Sequence, residues 1–218
     1  MITQYHKIAL AAGIALALAF TLSCSSNKDD DSPGGGNNKC CNIADCKIAI
    51  IGTQTWMGEN LNCDVPSSKC YDNDPANCAK YGRFYDWATA MGIDAKYNHE
   101  WWDADNSKIN EKHKGICPEG WHIPSIGDWR VLRNYAGSAK LMATSGWYTG
   151  YGYIVGTDEY GFTALAVPEG STSGASWWSA SEDNVPINAL LVSMDNVGGA
   201  GITYDHKYYS KSVRCLQD

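Results

Sequence analysis

Nine cysteines constrain this chain more than any other feature. Cys24 closes an apolar leader, and the other eight, Cys40, Cys41, Cys46, Cys63, Cys70, Cys78, Cys117 and Cys215, form an even set. In an exported chain such a set reads as a disulfide framework, although counting alone leaves the connectivity open. Spacing narrows it. Cys70 and Cys78 bracket Tyr71-Asp72-Asn73-Asp74-Pro75-Ala76-Asn77, a turn-rich segment that returns the chain on itself, so these two are expected to pair. Cys117 and Cys215 would then tie the middle of the chain to its end, restricting the unfolded state by roughly 4 to 5 kcal/mol in the chain-entropy model. The pairing of Cys40, Cys41, Cys46 and Cys63 stays open. No two cysteines are spaced CxxC and no paired Cys/His motif occurs, so zinc is not expected, nor any other metal or cofactor.

The premise of export comes from the leader. Met1 to Lys7 carries a cation, and Ile8 to Phe20 is an uncharged apolar run, the two parts of a secretory signal. The run is short of the roughly 20 apolar residues a spanning helix needs. Thr21-Leu22-Ser23-Cys24 resembles a bacterial lipobox, with Thr21 where an aliphatic residue is usual; it implies a signal peptide over residues 1–23 and lipid on Cys24. The other reading is plain secretion. Residues 24–46 contain Asp29-Asp30-Asp31 and Gly34-Gly35-Gly36, which bury too little apolar surface to fold and read as a tether. Lys28 followed by three aspartates also resembles the acidic signal that sends some bacterial lipoproteins to the outer surface; the alternative is a solvated charged linker. The localisation expected is the bacterial cell envelope, as a surface-exposed outer-membrane lipoprotein held to the membrane through its N-terminal lipid.

Residues 47–218 suit one domain. Once Lys7 leaves with the leader, the chain is one unit more negative than its full-length −7. Without a basic cluster it is no candidate for nucleic acid. Lys47 to Ile51 and Gln54 to Met57 are β-prone runs around Gly52-Thr53, a tight hairpin. Phe84, Trp87, Ala88 and Met91 fall on one helix face ended by Gly92. A second helix starts at Ser125 with Asp128 as capping-box partner, turns Trp129, Leu132 and Tyr135 inward, and ends at Gly137. Phe162 to Val167, Trp177 to Ser181, Ala189 to Met194, Ile202 to Tyr204 and Ser212 to Leu216 read as short strands. Two helices followed by a group of strands give an α+β fold with a mostly antiparallel sheet, stapled by disulfides.

Ile51 to Leu61 (Ile-Gly-Thr-Gln-Thr-Trp-Met-Gly-Glu-Asn-Leu), Cys70-Tyr71, and Tyr81 to Trp87 (Tyr-Gly-Arg-Phe-Tyr-Asp-Trp) begin a series of blocks. Gly115 to Pro124, Gly156 to Phe162, Trp178 to Glu182 and Ser212 to Cys215 continue it. In this order they resemble the Fibrobacter succinogenes major paralogous domain over roughly Lys47 to Asp218. The resemblance implies a bacterial envelope protein, often a lipoprotein, with an irregular fold similar to C-type-lectin-like domains and formylglycine-generating enzymes. It brings no established activity. The Pro168 to Ser176 stretch is shorter than in relatives.

Catalysis is not expected. His99-Glu100-Trp101-Trp102-Asp103 starts like a zinc-protease HExxH but lacks the second histidine. Gly170 to Gly174 has Thr172 where a nucleophile elbow needs Ser. A formylglycine-type reaction would require a late reactive cysteine pair, and only Cys215 follows Cys117. His122 reads as a hydrogen-bonded packing residue. Binding is the better expectation. Nine Trp and thirteen Tyr against three Phe favour rings with a polar handle, which stack on flat faces. Trp101 and Trp102 lie in a polar surface insertion beside Asp103, Asp105 and Asn106; Trp147, Tyr148, Tyr151 and Tyr153 form a second aromatic loop punctuated by glycines. These are the candidate ligand residues, for a polysaccharide or another surface protein. The competing reading packs the same rings under their own loops. Calcium finds no EF-hand spacing around Asp103. A structural envelope protein with protein partners is the alternative function, an enzyme the third.

Overall fold

The computed structural model describes residues 46–103, 112–169 and 172–218. The leader, Cys24, Cys40, Cys41, Asp105 and Asn106 lie outside the described residues. The fold is α+β, with two antiparallel sheets of short strands. The hairpin β1 (Ile48–Ile51) and β2 (Gln54–Met57) pairs Ile51 with Gln54 across the Gly52-Thr53 turn. Along β1, Ala49 and Ile51 point inward and Ile48 and Ile50 outward, the two-residue alternation of a half-covered strand. Gly52 takes a φ of 61°, and the Tyr135 ring lies 3.2 Å from where a Cβ would stand.

Helix α1 (Pro75–Tyr81) starts at Asp74, whose side chain accepts from the Ala76 amide, with Pro75 in the first turn. The segment between Cys70 and Cys78 is therefore partly helical rather than only a turn. Helix α2 (Trp87–Met91) is capped by Asp86 and ended by Gly92 in the left-handed conformation. Phe84 is not on it; that residue bridges to Lys69. A short strand, β3 (Trp121–His122), precedes α3 (Ile126–Ala136). A complete Ser125–Asp128 capping box opens α3 and Gly137 closes it. Trp129 and Leu132 are buried, but Tyr135 is 60% exposed and lies near Tyr160, correcting its expected inward placement. Helix α4 (Ser138–Leu141) follows at once.

The larger sheet runs in the order β4 (Val167–Glu169), β5 (Thr172–Glu182), β6 (Asn188–Asp195) and β7 (Gly199–His206). Most of the expected Phe162 to Val167 strand is irregular. The Ser212 to Leu216 run contributes a bridge at Ser212 and the two-residue β8 (Leu216–Gln217), which pairs with β2 and β3. Trp177 and Trp178 are adjacent on β5 and so point to opposite faces. Trp177 packs with Trp56, Trp129, Phe162 and α3 in one core, while Trp178 packs with Tyr85, Trp87, Trp121 and Leu191 in another. Each indole is fully buried and satisfied: Trp177 Nε1 donates to Asn60 Oδ1 at 2.7 Å and Trp178 Nε1 to the Tyr85 carbonyl at 2.9 Å.

Disulfides join Cys70 to Cys78 and Cys117 to Cys215, and Cys63 is also disulfide-bonded. Among the described residues no helix is long and apolar enough to cross a membrane.

Candidate functional site

The second aromatic loop is held by the tip of the β6–β7 hairpin. Asp195 Oδ1 accepts the amides of Val197 at 2.8 Å and Gly198 at 2.6 Å, closing the turn. Beside it, the buried Asn196 donates its side-chain amide to the Tyr148 carbonyl, and its own carbonyl accepts from Ile154 at 2.6 Å. The loop between these anchors splits its rings by destination. Trp147, only 8% exposed, donates to the Ala164 carbonyl at 3.0 Å and belongs to the α3-side core, so its expected place on a binding face is corrected: the core takes its whole ring. Tyr148 and Tyr153 face solvent and line a groove. Tyr151 is fully exposed and lies outside that lining.

The groove has a volume of about 630 Å³. Its floor is the stretch of large-sheet surface that the Trp178 core leaves uncovered. Alternation places Gly174 and Ser176 of β5, Ser193 and Asp195 of β6, and Thr203 and Asp205 of β7 on that face, with Ser176 opposite Ser193 and Gly174 opposite Asp195. Among the described residues none hydrogen-bonds the hydroxyls of Ser176, Ser193 or Thr203, while Asp205 pairs with Lys211 at 2.8 Å. Small polar residues thus make a shallow floor with open donors and acceptors, and Tyr148 and Tyr153 stand at the hairpin end.

At the opposite end, Lys211 Nζ lies 6.0 Å from the Tyr209 ring centroid. Tyr209 adjoins Tyr208 at 4.8 Å, and the Tyr208 ring stacks with His206 at 5.1 Å and with His99 at 5.9 Å, with interplanar angles of 21° and 23°. Both tyrosines are exposed. The Tyr208 phenol is raised above its ordinary value, by desolvation first and then by Tyr209 and the Asp205 charge. Sequence reading missed this cluster. Its signal was the adjacent tyrosine pair in a polar stretch, but His99 joins it only through the fold.

Trp101 and Trp102 part company. Trp101 is 36% exposed, whereas Trp102 packs edge-on against Trp87 at 6.2 Å and His113 at 4.7 Å. Their backbone is held by a buried ion pair. Glu182 accepts the amides of Trp102 at 3.1 Å and Asp103 at 2.8 Å and pairs with Lys207, which also donates to the Glu100 carbonyl at 3.0 Å. Burial keeps the Lys207 ammonium below its ordinary value, although Glu182 pulls the other way.

A second cavity, of about 520 Å³, surrounds His122. His122 Nδ1 lies 2.7 Å from Asp218 and Nε2 lies 3.9 Å from Asp128. The Ser125 hydroxyl donates to Asp128 at 2.6 Å and accepts the Asp128 amide at 3.2 Å. That serine is committed to capping α3, and the cluster ties the helix start to the chain end. Among the described residues no group of three or more His, Cys, Asp or Glu is placed to hold a metal ion.

The model of the Fibrobacter succinogenes major domain family matches residues 50–217. No curated protein and no solved structure matches the chain.

Proposed function

From the premise that this chain belongs to the Fibrobacter succinogenes major domain family, we propose that it is a lipid-anchored binding module of the bacterial cell envelope, without catalysis, whose groove takes carbohydrate. The observation that carries the reading is the groove itself: three hydroxyls on its floor with no hydrogen-bond partner among the described residues, and two solvent-facing tyrosines at one end. Sugar hydroxyls need donors and acceptors that the protein has not already used, and sugar faces pack against rings whose hydroxyl stays paired with water. Its volume falls in the ordinary range for ligand sites, roughly 300 to 1,000 Å³. The envelope part rests on the leader, on Thr21-Leu22-Ser23-Cys24, and on the disulfides, which persist in oxidising compartments.

The test of binding is a glycan array probed with the oxidised chain lacking residues 1–24. Saturable binding that falls at least tenfold in Tyr148→Ala or Tyr153→Ala supports the groove. A folded, oxidised protein that binds no glycan sinks the carbohydrate reading and favours a structural role with protein partners. For the anchor, fatty-acid labelling of the full chain should vanish in Cys24→Ala. Protease added to intact cells should remove the domain; resistance places it inside the outer membrane instead.

A further inference from the structure

The Lys211 end of the groove lies next to a second aromatic cluster. Tyr148 and Tyr153 stand by the Gly199 end of β7, and Lys211 with Tyr209 stands by the His206 end. The eight residues of β7 span roughly 23 Å at about 3.3 Å per residue, several times the width of one sugar ring. Lys211, which lines the groove, lies 6.0 Å from the exposed Tyr209 ring, and Tyr209 adjoins Tyr208, which also stacks on His99. We propose that this face binds a linear, neutral polysaccharide laid along the strands, with one stretch of the polymer against Tyr148 and Tyr153 and another against Tyr209 and Tyr208. The inference rests on the carbohydrate reading of the groove and names its ligand class.

Charge selects neutral polymers. Asp195 and Asp205 outnumber Lys211 in the lining, Lys211 is already paired, and the whole chain carries −7. A polyanion would meet repulsion without a free cation among the described lining residues to offset it. Shape selects a ribbon. The floor is an open sheet face of Gly174, Ser176, Ser193 and Thr203, and equatorially linked pyranose chains present flat faces suited to it. Rings at two separated ends give the ligand two weak contacts in one molecule, so the second contact forms at high effective concentration.

The experiment is calorimetry of the oxidised chain with β-1,4-gluco- and β-1,4-xylo-oligosaccharides, from the disaccharide to the hexasaccharide, with polygalacturonate as the acidic control. Affinity should rise at least tenfold from disaccharide to hexasaccharide in one series, with no binding of polygalacturonate. The double variant Tyr208→Ala/Tyr209→Ala should lose about tenfold on the hexasaccharide and nothing on the disaccharide, whereas Tyr148→Ala weakens both. Tyr209→Phe should bind like the parent, because the ring makes the contact. Equal affinity for short and long oligomers, an inert Tyr208/Tyr209 variant, or binding of polygalacturonate overturns the inference. A positive glycan array with both neutral series silent overturns it too, while leaving the carbohydrate reading standing.

Discussion

At the residue scale the most exacting position is Arg214. Its side chain is buried, stacked 4.1 Å from the Phe162 centroid and 5.6 Å from that of Trp177. No described carboxylate forms an ion pair with it; Asn60 Oδ1 accepts from Nε at 3.1 Å and Nη2 at 2.6 Å, and the Phe162 carbonyl accepts from Nη1. Burial lowers its pKa to about 9, against the pull of Asp158 and Glu59. The same Asn60 oxygen takes the Trp177 indole, and its amide donates to the Tyr81 carbonyl at 2.9 Å. One amide thus satisfies a buried cation, a buried indole and a helix end. Asn60→Leu should cost about 3 to 5 kcal/mol in urea unfolding under oxidising conditions, because it strands a buried charge. Arg214→Met should cost less, since it removes the charge along with its need. The double variant should be milder than the sum of the singles by about 1 kcal/mol or more. Additive losses would show that Asn60 supports Arg214 only through packing.

At the element scale, α3 shows how much was legible. Its start, its capping box and its stop at Gly137 were readable because each signal lies within a turn of the residue it controls. Helix α1 also carried a local signal, Asp74 at the N-cap followed by Pro75, but the flanking cysteines drew the segment into a turn reading. Tyr135 obeyed the periodicity and still faces largely out: Ala136, one position on, is the buried residue of that helical turn, and the Tyr135 ring lies instead over the β1–β2 turn at Gly52, distant in sequence. The groove was less legible again. Its floor comes from three strands, and Ser176 and Trp177 alternate without anything local to say which face stays uncovered. The aromatic loop was readable as a loop, but the split between a buried Trp147 and an exposed Tyr148 depends on Ala164 and Asn196. The capping box yields its own prediction. Ser125→Ala should cost about 1 kcal/mol at neutral pH. Burial alone would raise the Asp128 carboxyl, but His122 and Ser125 outweigh it and hold the group below its ordinary 3.8. A carboxyl with a lowered folded pKa adds stability above its unfolded pKa and loses it as pH falls through the folded value. The parent should therefore lose stability below about pH 4, and Asp128→Asn should lose less over the same interval. Identical acid slopes in urea titrations would remove Asp128 from that account.

At the scale of the whole molecule, the two mapped disulfides do different jobs. Cys70–Cys78 closes a separation of 8 residues around α1, and Cys117–Cys215 closes a separation of 98. The longer bridge lies inside the Trp178-side core, where both its cysteines are buried, next to β8, a two-residue strand with one register pair to β2 and two to β3. So short a strand supplies few ladder bonds. The C-terminal run instead depends on Arg214, on the Met57 amide that donates to the Cys215 carbonyl at 3.1 Å, and on the covalent bridge. The chain-entropy model gives roughly 4 to 5 kcal/mol for the long loop and about 2 to 3 kcal/mol for the short one. Replacing Cys117 and Cys215 together by Ala should lower the thermal midpoint further than replacing Cys70 and Cys78 together, with cavity loss in the core adding to the first. It should also loosen the His122–Asp218 contact, since Asp218 is held only three residues beyond the bridge. Amide exchange would then quicken at β8 and at the start of α3 while β6, central in the other sheet, stays protected. Equal midpoints for the two double variants, or exchange that quickens uniformly, would mean that the C-terminal run is held by its packing and that the long bridge only records where the chain already lies.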